Sequence, residues 1–553
     1  MGEFSSSIIK GGFHVVQTKR FICLICAFML LLSLFTSCSG GDSSDSDRQD
    51  ADKKNVTDAN KGNDGEAKEK EVSPIKLSVA FWDNGMWEVN PEDTEFGTML
   101  YEKFGITVDP YVITWGDYTE KLQMWAASGQ LPDFFLNLWY SQWMKQGLTK
   151  GIPVSKLEKY TNLMDRVPQN MLEYLVVDDL IYGIPRSSWK NSSGPIDAAA
   201  LYVNKSFLDK AGLSQAPDTI DGWVDFLSKC VNENYGGSST IGITADGGIP
   251  TPLITLLPFT ETSTSTNWIK ENGKWTLRFL SEKNIEALKF ARELYQKGVI
   301  DKDIATRKSG DTQNLFNEGR VAVTQTNFDC DMMYRYRGPN NADASEWLTF
   351  AMSPKAPETD VRYHNATSNY DNNMSFNANI TDEKMDRTLE FLDWACSPEG
   401  EKIATMGFEG KHYEKKDGVE VSIVPSDEDG VVPKYWEYEA IAMFARFVPT
   451  WNFEFAITSP FHPEGNRKLA NDYKTLIQNE ATICDANWGI EYYSSEARDN
   501  MPSISEDYNA MYMKAMTGKE DIEKLFDEFV QQSLVKAQEA IDDTNKYAQS
   551  MGW

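Results

Sequence analysis

Apolar and polar positions alternate from residue 75 and then run together through Phe81 and Trp82 (IKLSVAFW), which predicts a buried strand. In residues 117–127, DYTEKLQMWAA, the side chains of Leu122, Trp125 and Ala126 recur at helical spacing, and Ser128-Gly129 supplies a stop. Leu131-Pro132-Asp133 turns the chain into Phe134-Phe135-Leu136, a second short buried strand. Residues 283–297 place Ile285, Leu288, Ala291, Leu294 and Tyr295 on one helical face, with Gly298 as cap. Residues 386–396 repeat the scheme with Leu389 and Leu392, after the start signals Thr381-Asp382. Residues 320–326 read as strand, and 522–547 as a long helical stretch with a candidate break near Thr544. Strands alternating with helices predict an α/β fold with largely parallel sheets.

Ahead of this folded part lies a different pattern. Residues 21–35, FICLICAFMLLLSLF, are apolar throughout and follow Lys10, Lys19 and Arg20. The run falls short of the roughly 20 residues a bilayer-spanning helix needs, and its flanks read as a secretory signal. It ends in Thr36-Ser37-Cys38, small residues before a Cys, which is similar to a bacterial lipobox, although Phe35 stands where that motif has Leu. The expectation is a signal peptide over 1–37 and acylation of the Cys38 thiol, with an uncleaved anchor as the alternative. From 39 to 74 the chain offers almost nothing to bury, so 38–74 is expected to be a lipidated Cys followed by a disordered tether.

The formal charge of −29 makes contact with phosphate backbones unfavourable, so nucleic acid is excluded as a partner. A composition 41% hydrophobic and 25% charged excludes a polytopic membrane protein and wholesale disorder. At 553 residues several domains are expected. Beyond the signal and Cys38 the cysteines are Cys230, Cys330, Cys396 and Cys484, scattered and without a CxxC pair. Buried thiols and one or two bridges are both open.

Several segments, in order, carry a resemblance. They are the stretch from Trp115-Gly-Asp-Tyr118 to Leu131-Pro-Asp133; Leu180-Ile-Tyr-Gly-Ile-Pro185 with Leu201-Tyr-Val-Asn-Lys205; Ala287 to Gly298 with Phe316-Asn-Glu-Gly-Arg320; Ser397-Pro-Glu-Gly400; and Met516-Thr-Gly-Lys519. Together they resemble the extracellular solute-binding protein family 1, in its long lipoprotein branch of oligosaccharide ABC importers of Gram-positive bacteria. The resemblance implies a two-lobed, periplasmic-binding-protein-like (type II) fold with a hinge between the lobes. Lobe 1 would hold residues 75–190 with about 375–440, and lobe 2 about 191–374 with about 441–553. Crossings would fall near 186–200, near 370–377 and within 430–460. It further implies a monomer held on the outer face of the cytoplasmic membrane by its N-terminal lipid. Its partners would be an oligosaccharide ligand and the transmembrane subunits of an ABC permease, and no cofactor is implied. The calcium loop of some relatives is replaced here by residues 232–240, NENYGGSST, with too few carboxylates for a hard cation.

Sugars present flat C–H faces rimmed with hydroxyls, which aromatic rings and short polar side chains match. With 16 Trp and 23 Tyr the chain is well supplied. The candidates stand at strand ends and expected crossings: Trp82, Asp83 and Asn84; Trp139 and Tyr140; Arg186 and Trp189; Asn327, Phe328 and Asp329; Tyr370 and Asp371; Trp451 and Asn452; and Trp488. Core packing is the competing role for each, and the favoured one for Trp125, Trp223 and Trp394 on predicted helices. A secreted carbohydrate-active enzyme or a sugar-binding adhesin is the alternative function. Paired carboxylates arise by chance among 83 acidic groups, however, and neither a GxSxG elbow nor a P-loop is present. Catalysis is not expected.

Overall fold

A computed structural model describes residues 73–81, 91–114, 116–189, 196–308, 310–338, 343–424 and 453–553. All belong to one packed unit, Glu71–Trp553. The signal, Cys38 and the tether therefore lie outside the described residues, as do Trp82, Asp83, Asn84, Trp451 and Asn452.

Nine strands build two sheets: β1 (Ile75–Ala80), β2 (Ile106–Pro110), β3 (Phe134–Asn137), β4 (Ile184–Ser187), β5 (Ala199–Asn204), β6 (Ile241–Ile243), β7 (Val321–Asn327), β8 (Leu348–Ala351) and β9 (Tyr370–Phe376). The first sheet has the order β2-β1-β3-β9-β4 and the second β8-β5-β7-β6. β1 runs parallel to β2 and β3, while β9 is antiparallel to both β3 and β4. The sheets are thus mixed where largely parallel ones were expected, because the chain returns to the first sheet from the opposite direction.

Each sheet has its own core. Leu77, Val79, Phe134 and Phe376 join Phe96 and Leu100 of the helix Glu95–Phe104, Leu122 of Tyr118–Ser128, and Leu389 and Leu392 of Asp382–Ala395. In the second sheet the side chains of β5 alternate between faces. Leu201 and Val203 pack with Trp223, Leu288, Tyr508 and Phe526, while Ala200 and Tyr202 pack with Phe316, Phe328 and Tyr473. A sheet buried on both faces needs apolar residues at consecutive positions, and this is why ALYV carries no polar alternation.

The predicted helices are present, with shifted ends. Thr381 caps Asp382–Ala395 by accepting from the Lys384 amide, so that helix starts four residues before the expected 386. The final helix runs unbroken from Ile522 to Met551. Thr544 does not interrupt it, because its hydroxyl donates to the Ala540 carbonyl one turn back at 2.7 Å. Cys230, Cys330, Cys396 and Cys484 are all buried free thiols, which decides between thiols and bridges.

The chain passes between the sheets in residues 188–198 and again in 352–369. The second passage is complete before the expected 370–377. Met374 and Phe376, both 0% exposed, are core side chains of the first sheet, so that stretch is a strand. The expected third passage falls mostly outside the described residues.

Candidate functional site

Strand direction fixes which edges meet at the boundary between the lobes. In the first sheet Ser187 ends β4 opposite Tyr370, which begins β9, and Asn137 ends β3 opposite Asn373. In the second, Ala199 begins β5 opposite Asn327, which ends β7, and Ala351 ends β8 opposite Leu201. The two passages join these edges, so the groups along them lie where a ligand held between lobes would sit.

A buried knot ties the passages together. Asn369, 4% exposed, accepts from the Trp189 amide through Oδ1 at 2.6 Å and donates to the Trp189 carbonyl through Nδ2 at 2.9 Å. Its side-chain amide thus pairs with one residue of the first passage as a neighbouring strand would. To do so Asn369 takes the left-handed conformation, φ 62°, which Asn tolerates better than most residues. The amide of Phe453, the first residue described after 424, donates to the Ser188 carbonyl at 2.8 Å. The Trp189 indole donates to Ile196 O at 3.0 Å and packs against Phe453 with centroids 4.8 Å apart, and Lys474 covers the ring at 4.9 Å. Trp189, 1% exposed, is a core side chain of this knot, with no open face for a sugar.

Four further candidates are engaged in the fold. Phe328 is 0% exposed among Phe350, Phe453 and Tyr473. Asp329 caps the helix Cys330–Arg335 by accepting from the Met332 amide at 2.7 Å, and burial together with Asp331 raises its carboxyl to about 7. The Tyr140 hydroxyl donates to Leu175 O and accepts from the Tyr182 amide at 2.9 Å, and burial raises its pKa far above that of a free phenol. Arg186 lies in the edge strand β4, opposite Asn372, and is 4% exposed. Each stands at an expected strand end or crossing, and each is buried or bonded within the fold.

Trp139, Asn327, Tyr370 and Trp488 are half-buried at the boundary. Trp139 stands at the end of β3, its amide held by Asn137 Oδ1 at 2.9 Å and its ring stacked on Trp143 at 5.1 Å. Asn137 Nδ2 in turn donates to Ser375 Oγ at 3.2 Å, and Ser375 to Tyr182 O at 2.9 Å, a buried relay that orients the strand end. Tyr370 meets Tyr492 edge-on at 5.1 Å, and Trp488 stacks on Tyr492 at 6.1 Å. Asn327 ends β7, its carbonyl accepting from the Tyr202 hydroxyl. Asp371 follows Tyr370 in β9. The structure therefore brings Tyr370 and Trp488 together through Tyr492, a residue that sequence reasoning did not single out. The helix start that positions it, Asn487 accepting from the Ile490 amide at 3.0 Å, was legible. A separate cavity of about 410 Å³ is lined by Glu401, Lys402, Glu420 and Glu454 among others, and by none of the candidates.

Among the described residues no group of three or more His, Cys, Asp or Glu could hold a metal ion. The curated relatives include Lipoprotein LipO of Bacillus subtilis, 22% identical over 65% of this chain and 71% of the relative. Another is the polygalacturonan/rhamnogalacturonan-binding protein YtcQ of the same organism, 21% identical over 65% of this chain and 68% of the relative. The crystal structure of the alginate-binding protein AlgQ2 has the same fold, with a TM-score of 0.65 at 15% identity, covering 86% of this chain and 98% of that one. Residues 95–408, more than half of the chain, match a family whose members bind solutes, and this protein belongs to the bacterial extracellular solute-binding proteins.

Proposed function

We propose that this protein is the lipid-anchored receptor of an ABC importer, capturing an oligosaccharide between its lobes and delivering it to the permease's transmembrane subunits. The observation that carries the reading is the set of half-buried rings Trp139 and Tyr370 at the boundary edge of the first sheet, joined through Tyr492 by Trp488 of the helix Trp488–Tyr492. Rings so placed offer C–H stacking to a pyranose, and Asn327 supplies a polar group for its hydroxyls. The polysaccharides named for YtcQ and AlgQ2 favour the sugar class over peptides. A ligand touching both lobes favours the closed population by its difference in affinity between closed and open forms. The reading includes a monomer tethered through acylated Cys38 at the outer face of the membrane.

Calorimetry with oligogalacturonides, alginate fragments and neutral oligosaccharides, combined with product analysis, tests it. Saturable binding without cleavage is expected, and released sugar would establish the carbohydrate-active enzyme instead. For the anchor, Cys38→Ala is expected to leave binding intact and move the protein from membranes to the medium. Retention of that variant on membranes would overturn lipidation at Cys38.

A further inference from the structure

Residues 488–499 are fixed to one lobe and touch the other. Glu491 accepts from the Asn267 and Trp268 amides at 3.0 and 3.2 Å, and Arg498 lies over the Trp268 ring at 4.4 Å. Ile490 is buried in the core of the second sheet. The segment is therefore carried by the second lobe.

Its opposite side meets the first lobe at three points. Asp499 pairs with Lys145 of the helix Tyr140–Lys145, and Lys145 also donates to Ser494 Oγ at 3.0 Å. Tyr492 meets Tyr370, and its hydroxyl lies 3.0 Å from Ser368 Oγ. Gly489, which packs against Trp553 of its own lobe, also faces Tyr174 of the helix Gln169–Leu175; a Cβ there would stand 3.0 Å from the Tyr174 ring. Both first-lobe helices are anchored in the first sheet's core, by Trp143 and by Met171 with Leu175.

We infer that residues 488–499 are a strap whose ionic end, Lys145 with Asp499, holds the lobes closed and sets how much of the free protein is closed before ligand arrives. The inference rests on the two-lobed receptor reading and concerns the regulation of its site. The pair joins residues 354 positions apart on separate lobes, and the Lys145 and Asp499 side chains keep 44% and 23% of their exposure. It can therefore open to water cheaply, unlike the knot at Asn369. Ser494 Oγ lies 3.2 and 3.3 Å from the two Asp499 oxygens, which aims the carboxylate at Lys145. A partly exposed ion pair is screened by salt, so closure governed by it depends on ionic strength.

The test is small-angle scattering of the full chain without ligand, comparing wild type, Lys145→Glu and the exchange Lys145→Glu with Asp499→Lys. For a folded part of this size the expected radius is roughly 23 Å, and opening is expected to add about 0.5 Å or more. Wild type should expand between roughly 50 and 500 mM salt, Lys145→Glu should be expanded at both, and the exchange should restore the wild-type response. Identical radii for all three proteins at both salts, with only melting temperature affected, would make the contact a fixed brace and overturn the strap. Because no glycan is used, this result stands apart from the calorimetry that tests the receptor reading itself.

Discussion

Replacing Asn369 by Gly isolates the knot between the passages. Glycine accepts φ 62° without strain, so the substitution keeps the backbone and removes only the amide that clamps Trp189. Two bonds are lost, at 2.6 and 2.9 Å, from a site where Asn369 is 4% and Trp189 1% exposed. A buried backbone group left without its partner costs about 1–3 kcal/mol, so stranding both the N–H and the C=O of Trp189 gives about 2–6 kcal/mol. Asn369→Ala removes the same bonds and adds a left-handed alanine, which costs about 1–2 kcal/mol more. Urea unfolding followed by Trp fluorescence measures both, and the Gly variant should lower the midpoint without changing the slope. A Gly variant within about 0.5 kcal/mol of wild type would refute the clamp. A Gly variant less stable than the Ala variant would refute the left-handed assignment.

Tyr140→Phe should cost about 1–3 kcal/mol in thermal melts, because Leu175 O and the Tyr182 amide lose their buried partner, while glycan affinity stays within error. The folded carboxyl of Asp329 is raised to about 7, above its unfolded value, so its contribution to stability is complete below about pH 4 and is lost as pH rises through 7. Asp329→Asn keeps the helix cap, and its stability should vary less than wild type's between pH 4 and 8 and exceed it at pH 8; an unchanged pH profile would refute this. Trp488→Ala and Trp139→Ala should each weaken glycan binding by about 0.5–1.5 kcal/mol beyond lost area, read by calorimetry, and Trp189→Phe should instead lower stability.

The elements were legible wherever periodicity met a cap. Leu122, Leu288 and Leu389 mark helices whose apolar faces are buried as their spacing requires. The sheet topology was less legible, since nothing local in Tyr370–Phe376 states that it runs antiparallel between β3 and β4. Among the site candidates, the ambiguity is physical. An aromatic residue at a strand end suits a ligand platform and a hinge core equally well, and Trp189 and Trp139 differ only in what folds over them. Asn369 and Tyr492 act through contacts with Trp189 and Tyr370, far away in sequence. Their roles therefore emerge only in three dimensions.

The four buried thiols offer a further consequence. Burial pushes Cys230 and Cys484 up to about 12, and Cys330 and Cys396 higher still, so an alkylating reagent finds almost no thiolate in the native state. Cys396 sits in the core of the first sheet, Cys230 and Cys484 on one side of the second, and Cys330 on its other side. Each sulfur is thus a silent timer for the layer that encloses it, and the order in which they are modified would reveal which part of the molecule breathes first.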